Sequence, residues 1–347
     1  MLKETANVGR VVCFGEILIR LSAPEAELLL QSPSLKVCFG GAETNVAVSL
    51  ARLGHEAAML SVAPDNALGR AGIDELRRYG VDVSRVAVTP GRQGLYFLTP
   101  GAAQRASHVL YDRAGSAFAL GAGSLDWDVA LAGAEWLHVS GVTAAIGQHT
   151  ADAAIAAVRV AHRLGIKVSM DCNYRASLWQ AWNGDAPAIL GEMLSHADLV
   201  FGDHRDIALV LGARFPAAQP GESTGDLRRR AATAAFAAFP KLQRIACTDR
   251  VQHTVNHHDI SGLVFTRERT WRTESRPLNP IIDRIGGGDA FAAGVLHGLL
   301  AGLEEGAGLE FAIAAAALKH ATPGDFNLAS RAEVEALVAS DSLDVRR

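Results

Sequence analysis

The stretch IIDRIGGGDAFAAGVLHGLL, residues 281–300, places three glycines and an aspartate directly before a long apolar segment. Glycine accepts backbone conformations that residues with a Cβ resist, so Gly286, Gly287 and Gly288 predict a tight turn. Before a helix, the amide groups of such a turn can converge on one point, which the helix dipole makes attractive to anions. Phosphate is the commonest biological anion in this setting.

Asp289 is the unusual member of this stretch, because a carboxylate repels phosphate. The combination makes chemical sense if Asp289 removes a proton from a hydroxyl group while the glycine amides stabilise a phosphoryl group in transfer. An aspartate in the first turn of an ordinary helix explains the same residues, and the spacing alone does not decide between the two interpretations. No GxxxxGK[ST] motif occurs, and the glycine pattern of a dinucleotide fold fails at Phe291.

The composition limits the class of protein. A chain of 347 residues can bury a substantial core. Lys and Arg number 33 against 37 Asp and Glu, which gives no support for a nucleic-acid surface. The apolar runs are too short to span a bilayer, so we expect no membrane partner. The four cysteines are scattered without a CxxC pair, which is typical of buried thiols in a reducing compartment. We therefore expect a cytoplasmic protein.

Short strand-like runs alternate with helix-like segments along most of the chain. This alternation predicts an α/β protein with a parallel sheet covered by helices on both faces, in a single domain over residues 1–347. Residues 94–112 break the rhythm, because two strand-like runs flank a Pro-Gly turn and predict an antiparallel hairpin. Together with residues 17–21 and 35–39, this hairpin predicts a small β-sheet lid formed by about residues 16–39 and 92–113. Its open edges would be covered in a homodimer.

The glycine–aspartate stretch also resembles a known signature. GGGDAFAAG resembles the C-terminal signature of the PfkB (ribokinase-like) carbohydrate kinases, and GGAETNVAVSLARLG, residues 40–54, resembles their N-terminal signature. Both occur in the family's order, which is more specific than either alone. GLYF, YDRAGSA and DCNYRASLW narrow the resemblance to the 2-keto-3-deoxygluconate kinases. It extends from residue 11 to residue 337 and implies a doubly wound, mostly parallel sheet with a β-sheet lid. It also implies transfer of the γ-phosphate of ATP, with Mg²⁺, to a sugar hydroxyl.

The resemblance implies roles for individual residues. Asp289 resembles the general base, and the amides of Gly286, Gly287 and Gly288 resemble the anion hole. The expected contacts to the sugar acid are Gly41, Asn45, Tyr96, Tyr111, Arg113 and Arg175. The expected nucleotide contacts are Asn173, Thr248, Arg250 and Asn327. The expected Mg²⁺ ligands are Asp203 and Asp206, which stand where the family usually has N-x-x-E and keep oxygen ligands at the same spacing.

The charge of the substrate favours one branch of the family. A keto-deoxy sugar acid carries a carboxylate, and Arg113 and Arg175 could bind it through planar, bidentate contacts that a neutral sugar would not need. We therefore predict an ATP-dependent kinase acting on the terminal hydroxyl of 2-keto-3-deoxygluconate. The alternatives are a kinase for a neutral sugar such as fructose or for a nucleoside, or a catalytically weak sugar- or nucleotide-binding protein. The last remains open because residues 248–259, TDRVQHTVNHHD, lack the glycine-containing nucleotide loop of the family.

That same segment holds a group of histidines. Its residues indicate a strand, and on one strand His253 and His257 would be about 13 Å apart between Cα atoms. We therefore expect them not to share a metal ion. Glu16 follows the first strand and could contact sugar hydroxyls or face solvent.

Overall fold

The computed structural model describes residues 10–215 and 221–339. The strands are β1 (Val11–Phe14), β2 (Leu18–Ser22), β3 (Lys36–Gly40), β4 (Ala57–Pro64), β5 (Asp82–Thr89), β6 (Leu95–Thr99), β7 (His108–Asp112), β8 (Trp136–Ser140), β9 (Lys167–Asp171), β10 (Leu199–Phe201), β11 (Arg244–Thr254), β12 (His257–Phe265), β13 (Thr270–Arg272) and β14 (Arg276–Leu278). The helices are α1 (Ala42–Arg52), α2 (Ala67–Arg78), α3 (Ala117–Gly121), α4 (Trp127–Ala130), α5 (Gly141–Ala144), α6 (Gln148–Arg163), α7 (Ala176–Gln180), α8 (Ala186–Ser195), α9 (His204–Leu211), α10 (Thr224–Ala238), α11 (Gly287–Leu300), α12 (Glu305–His320) and α13 (Arg331–Ala339).

Ten of the described strands form one large sheet. Its order is β13-β12-β11-β10-β9-β8-β1-β4-β5, and β14 also pairs with β12. The pairs from β5 across to β11 are parallel, and the pairs that β12 makes with its neighbours are antiparallel. Because the parallel strands point the same way, their carboxyl ends meet at one edge, where ligands bind in doubly wound folds.

Apolar side chains fill both faces of this sheet. In β1, Val12 and Phe14 belong to one apolar cluster, which also contains residues of α3, α6, α8 and α10. Val11 and Cys13 belong to the opposite cluster, with residues of α1, α2, α11 and α12. Successive residues of a strand point to opposite faces, so a fully apolar run is what a strand covered on both sides requires. The predicted doubly wound α/β core is confirmed.

Helix α11, which follows the glycine turn, packs closely against α12. A Cβ on Gly294 would overlap Ala312, and a Cβ on Gly298 would overlap the backbone of Gly308. These glycines let the two helix backbones approach, which leaves most of α11 buried between α12, α1 and the sheet. The first turn of α11 is therefore anchored by extensive burial.

The predicted lid is present as a separate four-stranded sheet with the order β3-β2-β6-β7. Strand β2 pairs antiparallel with β3 and parallel with β6, and β6 and β7 form the predicted hairpin. The register places the side chains of Cys38, Arg20, Tyr96 and Tyr111 in one row across the sheet. This row faces the core, because Arg20 and Tyr96 are buried.

The expectation that His253 and His257 are far apart on a single strand is wrong. The chain turns at Val255 and Asn256. His253 therefore lies near the end of β11, and His257 is the first residue of the antiparallel partner β12. The ring centroids of the two histidines are 4.5 Å apart. The turn is supported from outside the hairpin, because the amide of Ile281 donates to the carbonyl of Asn256 at 2.8 Å.

Over residues 10–215 and 221–339, no helix combines the length and the apolar character that crossing a membrane requires. The four cysteines carry free thiols, and Cys13, Cys172 and Cys247 are buried.

Candidate active site

A cleft of about 530 Å³ lies between the lid and the carboxyl edge of the main sheet. Residues from lid strands, from the start of α1, from the end of β9 and from the glycine turn meet in it. The lining residues are Leu18, Gly41, Ala42, Asn45, Tyr96, Val109, Tyr111, Arg113, Val142, Asp171, Asn173, Arg175, Arg250, Arg284, Ile285, Gly286, Gly288, Asp289 and Asp325. Eleven of these are residues singled out from the sequence, although they come from distant parts of the chain.

The three glycines of the turn are needed for three different reasons. Gly286 has φ 83°, in the left-handed region, and a Cβ there would overlap the carbonyl of Asp325. A Cβ on Gly287 would overlap the ring of His320. Gly288 has no neighbour within 4 Å of its Cβ position and lines the cleft, so its lack of a side chain keeps the space beside the helix start open. The turn thus presents backbone rather than side chains to the cleft.

Asp289 lies in the first turn of α11 and is held by α1. The side-chain amide of Asn45 donates to Oδ2 of Asp289 at 2.6 Å. Burial raises the pKa of Asp289 to about 6, the nearby Asp325 also raises it, and the bond from Asn45 and the charge of Arg175 oppose the rise. A carboxylate with a pKa close to neutral is suited to accept a proton, because it is ionised in use but basic enough to take the proton.

A second carboxyl group, Asp171, stands at the carboxyl end of β9. Burial raises its pKa to about 8, and the charges of Asp289 and Asp206 raise it further, against Arg175. Its Oδ1 accepts from the amide of Asn173 at 3.0 Å, which places Asn173 in the left-handed region at φ 38°. Asp171 therefore lies near both Asp289 and Asp206, close enough for each charge to act on it.

The approach to the glycine turn is fixed by a buried ion network. Asp283 accepts from Arg20 of the lid at 2.7 Å and from the amides of Ile285 and Gly324. The ammonium of Lys319, a fully buried residue, donates to the carbonyls of Asp283 at 3.4 Å and Thr322 at 3.0 Å. These contacts connect the turn to the lid and to the end of α12.

Two lid tyrosines predicted as sugar contacts reach the cleft. The hydroxyl of Tyr96 donates to Oδ2 of Asp325, and Tyr96 is buried. Burial and the charge of Asp325 raise the pKa of Tyr96 well above its usual value. Tyr111 packs beside it, with ring centroids 6.4 Å apart. Tyr96 therefore joins the lid to Asp325 and also forms part of the cleft wall.

Arg113 is buried rather than solvated, and it lies against Glu16. Its Nε donates to Oε2 of Glu16 at 2.7 Å, and the hydroxyl of Ser116 donates to Oε1. Both members of the ion pair are almost fully shielded from solvent. The bond uses Nε and not the two terminal nitrogens of Arg113, so Glu16 orients the guanidinium toward the cleft that it lines.

Three further arginines line the cleft on the core side. Arg175 follows β9 and donates to the carbonyl of Tyr174 at 2.9 Å. Arg250 on β11 lies close to Arg284 in the glycine turn. The pKa of Arg250 is lowered, mainly by burial and also by the charge of Arg284. Together they give this part of the cleft a concentration of positive charge that suits a polyanion.

Five of the residues singled out from the sequence do not line the cleft: Thr248, Asn327, Gly287, Asp203 and Asp206. Thr248 lies within β11, paired with Gly262. Asn327 is buried, and its Oδ1 accepts from the amide of Ala329 at 3.2 Å. Gly287 packs against His320 as described above.

Asp203 and Asp206 adjoin the cleft at the start of α9. Asp203 caps the helix and bonds the side chain of Arg205 at 2.7 Å, while Oδ2 of Asp206 accepts from the amide of Asp203 at 2.8 Å. Burial raises the pKa of Asp206, and the charge of Asp203 adds to that rise. The pKa of Asp203 is lowered instead, because the effect of burial is outweighed by the bonds from Arg205. A hard cation beside the two carboxylates would stabilise the ionised form of Asp206, so these oxygens fit Mg²⁺.

Several residues of the site were not assigned from the sequence: Glu16, Asp171, Arg284, Lys319 and Asp325. Asp171 carried a usable signal, because it ends an apolar strand at the edge where ligands bind. Lys319 and Asp325 carried no such signal, since their roles depend on contacts with the lid and the glycine turn.

Comparison with known proteins agrees with this geometry. Residues 8–330 match the pfkB family of carbohydrate kinases. A 2-dehydro-3-deoxygalactonokinase from Haloferax volcanii is 31% identical over 98% of this chain and 99% of its own. The crystal structure of a 2-dehydro-3-deoxygluconokinase from Thermotoga maritima is 34% identical, with a TM-score of 0.88 over 96% of this chain and 100% of its own. That of a PfkB family carbohydrate kinase from Listeria grayi is 33% identical, with a TM-score of 0.87 over 95% and 100%.

The fold and the cleft are those of a sugar kinase with a lid. The chain belongs to the pfkB family and is a carbohydrate kinase. ATP binding follows from membership of this family.

Proposed function

We propose that the chain transfers the γ-phosphate of ATP to the terminal hydroxyl of 2-keto-3-deoxygluconate, which is also called 2-dehydro-3-deoxygluconate. The observation that carries this proposal is the carboxylate of Asp289, held by Asn45 beside the open face of Gly288, in a cleft with arginines from both lid and core. The relatives from Haloferax volcanii and Thermotoga maritima, which are named for phosphorylating 2-dehydro-3-deoxy sugar acids, support the same substrate class.

The mechanism assigns one proton transfer to this chain. Oδ of Asp289 accepts the proton of the sugar hydroxyl while the hydroxyl oxygen attacks the γ-phosphorus. The bond from that phosphorus to the β–γ bridging oxygen breaks, and ADP leaves with the bond electrons. The amides of the glycine turn and Arg175 offset the negative charge on the phosphoryl group in transfer. Closure of the lid excludes water and limits hydrolysis of ATP.

We propose that Asp203 and Asp206 hold Mg²⁺, directly or through water. When bound, the ion would neutralise charge on the nucleotide phosphates. The side chain of Arg205 lies on Asp203 and would move aside or contact phosphate itself.

Recognition of a sugar acid is proposed for Arg113 and Arg175. A carboxylate in a shielded cleft requires a partner, and a guanidinium offers a planar pair of donors. Glu16 holds Arg113 by Nε, which leaves the terminal nitrogens of this guanidinium for the carboxylate of the substrate.

The same ion pair supports a second candidate, a kinase for a neutral sugar such as fructose. Because Glu16 already balances the charge of Arg113, the lid side of the cleft carries less net positive charge than an unpaired arginine would provide. The two candidates differ in whether activity depends on a carboxylate of the substrate.

The test is kcat/KM with ATP over a panel: 2-keto-3-deoxygluconate, its galacto epimer, fructose and a nucleoside. We expect a preference for the sugar acids over fructose on the order of 10²-fold or more, because a site built for a polar group rejects substrates lacking it. Arg113→Met should lower kcat/KM for the sugar acids and leave the much weaker activity on fructose less affected. A preference for fructose would establish the second candidate. Sugar binding without turnover of any nucleoside triphosphate would establish a binding protein.

We also propose a cytoplasmic homodimer that forms through the outer face of the lid. The register places Val37, Leu21, Phe97 and Leu110 in one row on that face, and Val37 and Leu110 are 61% and 53% exposed. Covering this row would also protect the open strand edges. Light scattering of the full chain should give a dimer mass, and V37E combined with L110E should give a monomer. A wild-type monomer at micromolar concentration would contradict the assembly.

A further inference from the structure

The hairpin of β11 and β12 gathers three side chains with metal-binding atoms on its exposed face, away from the cleft. The nitrogen and oxygen atoms that His253, His257 and Asp259 can offer all lie within 4.8 Å of one another. Nε2 of His253 lies 2.7 Å from Oδ2 of Asp259. This group is created by the turn at residues 255 and 256, together with a register shift between Gln252 and Thr254.

The hairpin separates this group from the catalytic cleft. Asp259 pairs with Val251, and Arg250, which lines the cleft, pairs with Ile260. Neighbouring residues of a strand point to opposite faces, so Asp259 and Arg250 lie on opposite sides of the hairpin. The group is thus distinct from Asp203, Asp206 and the cleft arginines.

We propose that His253, His257 and Asp259 bind a divalent transition-metal ion of the Zn²⁺ class. Two imidazoles and one carboxylate form a ligand set that such ions prefer, whereas Mg²⁺ prefers oxygen ligands. Bond lengths near 2.1 Å in a tetrahedral site place ligand atoms roughly 3.4 Å apart, so the three side chains need to move by only about an ångström. His253 and Asp259 have side chains that are 41% and 32% exposed, which leaves them room to rotate and leaves the remaining coordination positions to water.

The ion would join the two strands on either side of a turn that touches the lid. A Cβ on Gly101, in the loop between β6 and β7, would lie 2.6 Å from Cγ1 of Val255. The carbonyl of Asn256 accepts from Ile281, which leads into the glycine turn. The bound ion therefore has a structural role, because it fixes a hairpin tip held between the lid loop and the segment before the active-site turn.

The test measures metal binding directly. Full-length protein without an affinity tag is stripped with chelator and titrated with Zn²⁺ against a chromophoric chelator, and thermal unfolding is followed with and without Zn²⁺. We expect one tight equivalent and a rise in Tm, since an ion that binds the folded state stabilises it. His253→Ala, His257→Ala and Asp259→Asn should each weaken binding on the order of 100-fold.

Controls separate this site from other ligands of the chain. His108→Ala removes an exposed strand histidine of the lid and should leave affinity unchanged. Cys38 is partly exposed and could also bind the ion. Binding Co²⁺ in place of Zn²⁺ tests this, because a thiolate ligand gives a charge-transfer band that the spectrum should lack. The proposal is overturned if the three variants bind Zn²⁺ as tightly as the wild type. It is also overturned if His108→Ala weakens binding equally, or if the cobalt complex shows thiolate ligation.

Discussion

The glycine turn before α11 and the hairpin of β11 and β12 both border the catalytic cleft, yet they are built in opposite ways. In the turn, Gly286 and Gly287 press against Asp325 and His320, and Asn45 holds Asp289 by a hydrogen bond. In the hairpin, the start of β11 and most of β12 are buried, whereas residues 250–254 of β11 are exposed. The turn has almost no freedom to vary, whereas the outer hairpin can change its side chains at small cost to the fold.

This difference explains how the chain keeps the family's catalytic stretch while its nucleotide segment lacks glycine. Transfer chemistry depends on positions fixed to a fraction of an ångström, and a mobile polyphosphate depends mainly on nearby positive charge. Arg250 and Arg284 line the cleft from the hairpin and the turn, and we propose that they supply that charge. Changes in the turn should therefore affect kcat strongly, and changes in the hairpin should affect only the KM for ATP.

The largest effect is expected from Asp289→Asn, which removes the proposed base but keeps its shape. We expect kcat to fall by about 10²–10⁴-fold, the usual contribution of a general base. Tm should not fall, because burial disfavours the charged carboxylate in the folded state. Steady-state phosphorylation and a thermal melt measure both, with the exposed Asp65→Asn as the control. A variant within tenfold of the wild-type kcat would remove Asp289 from the mechanism.

Substitutions of neighbouring glycines separate catalysis from stability. Gly288→Ala places a methyl group in the open cleft, so we expect kcat to fall roughly 100-fold with an unchanged Tm, since a misplaced reacting group costs about this much. Gly287→Ala drives a methyl group into His320 and should lower the free energy of unfolding by about 1–3 kcal/mol. Denaturant unfolding and kcat are measured for both. Equal stability losses in the two variants would contradict the geometry of the turn.

Lys319→Met tests whether the buried ammonium positions the turn. Methionine keeps the length and leaves the carbonyls of Asp283 and Thr322 without this partner, which costs about 1–3 kcal/mol. If the turn relaxes, we expect kcat to fall roughly 10–100-fold while the KM for the sugar changes little. Lys319→Arg should restore part of the rate. A loss of Tm without any change in kcat would make Lys319 a stability residue alone.

The smallest effects are expected in the hairpin. Arg250→Ala should raise the KM for ATP roughly tenfold without changing kcat, as expected for one lost charged contact. His253→Ala, three residues further along the same strand, should leave both constants within about twofold, because its side chain lies on the other face of the hairpin. A fall in kcat for either variant would mean that the hairpin takes part in the chemistry.

The parts of the fold that could be predicted are those whose sequence patterns lie within short stretches. The alternation of strands and helices predicted the core, and the Pro-Gly turn predicted the lid hairpin. The turn at Val255 and Asn256 was missed because valine is not a turn residue. That turn is held from outside by Ile281 and the lid, which no local pattern records.

The same distinction applies to the site. Asp289 and its glycines could be predicted because one stretch contains the turn, the helix start and the carboxylate. The pairing of Arg113 with Glu16 joins residues far apart in the chain, and so does the contact between Tyr96 and Asp325. Such pairs form only when the lid packs on the core. Arg113 and Tyr96 could therefore be predicted as site residues, but their partners could not.

The central claim is that ionised Asp289 removes the proton of the sugar hydroxyl, and the pH dependence of the wild-type rate tests it most directly. The folded-state pKa of Asp289 is raised to about 6, so the base is protonated and inactive below that pH and ionised above it. At concentrations of sugar and Mg²⁺-ATP well below KM, where kcat/KM reports the free enzyme, we expect the rate to rise from about pH 4.5 through an apparent pKa near 6 and to level off by about pH 8. A rate that stays flat across this range, or that falls as the pH rises, would contradict the account.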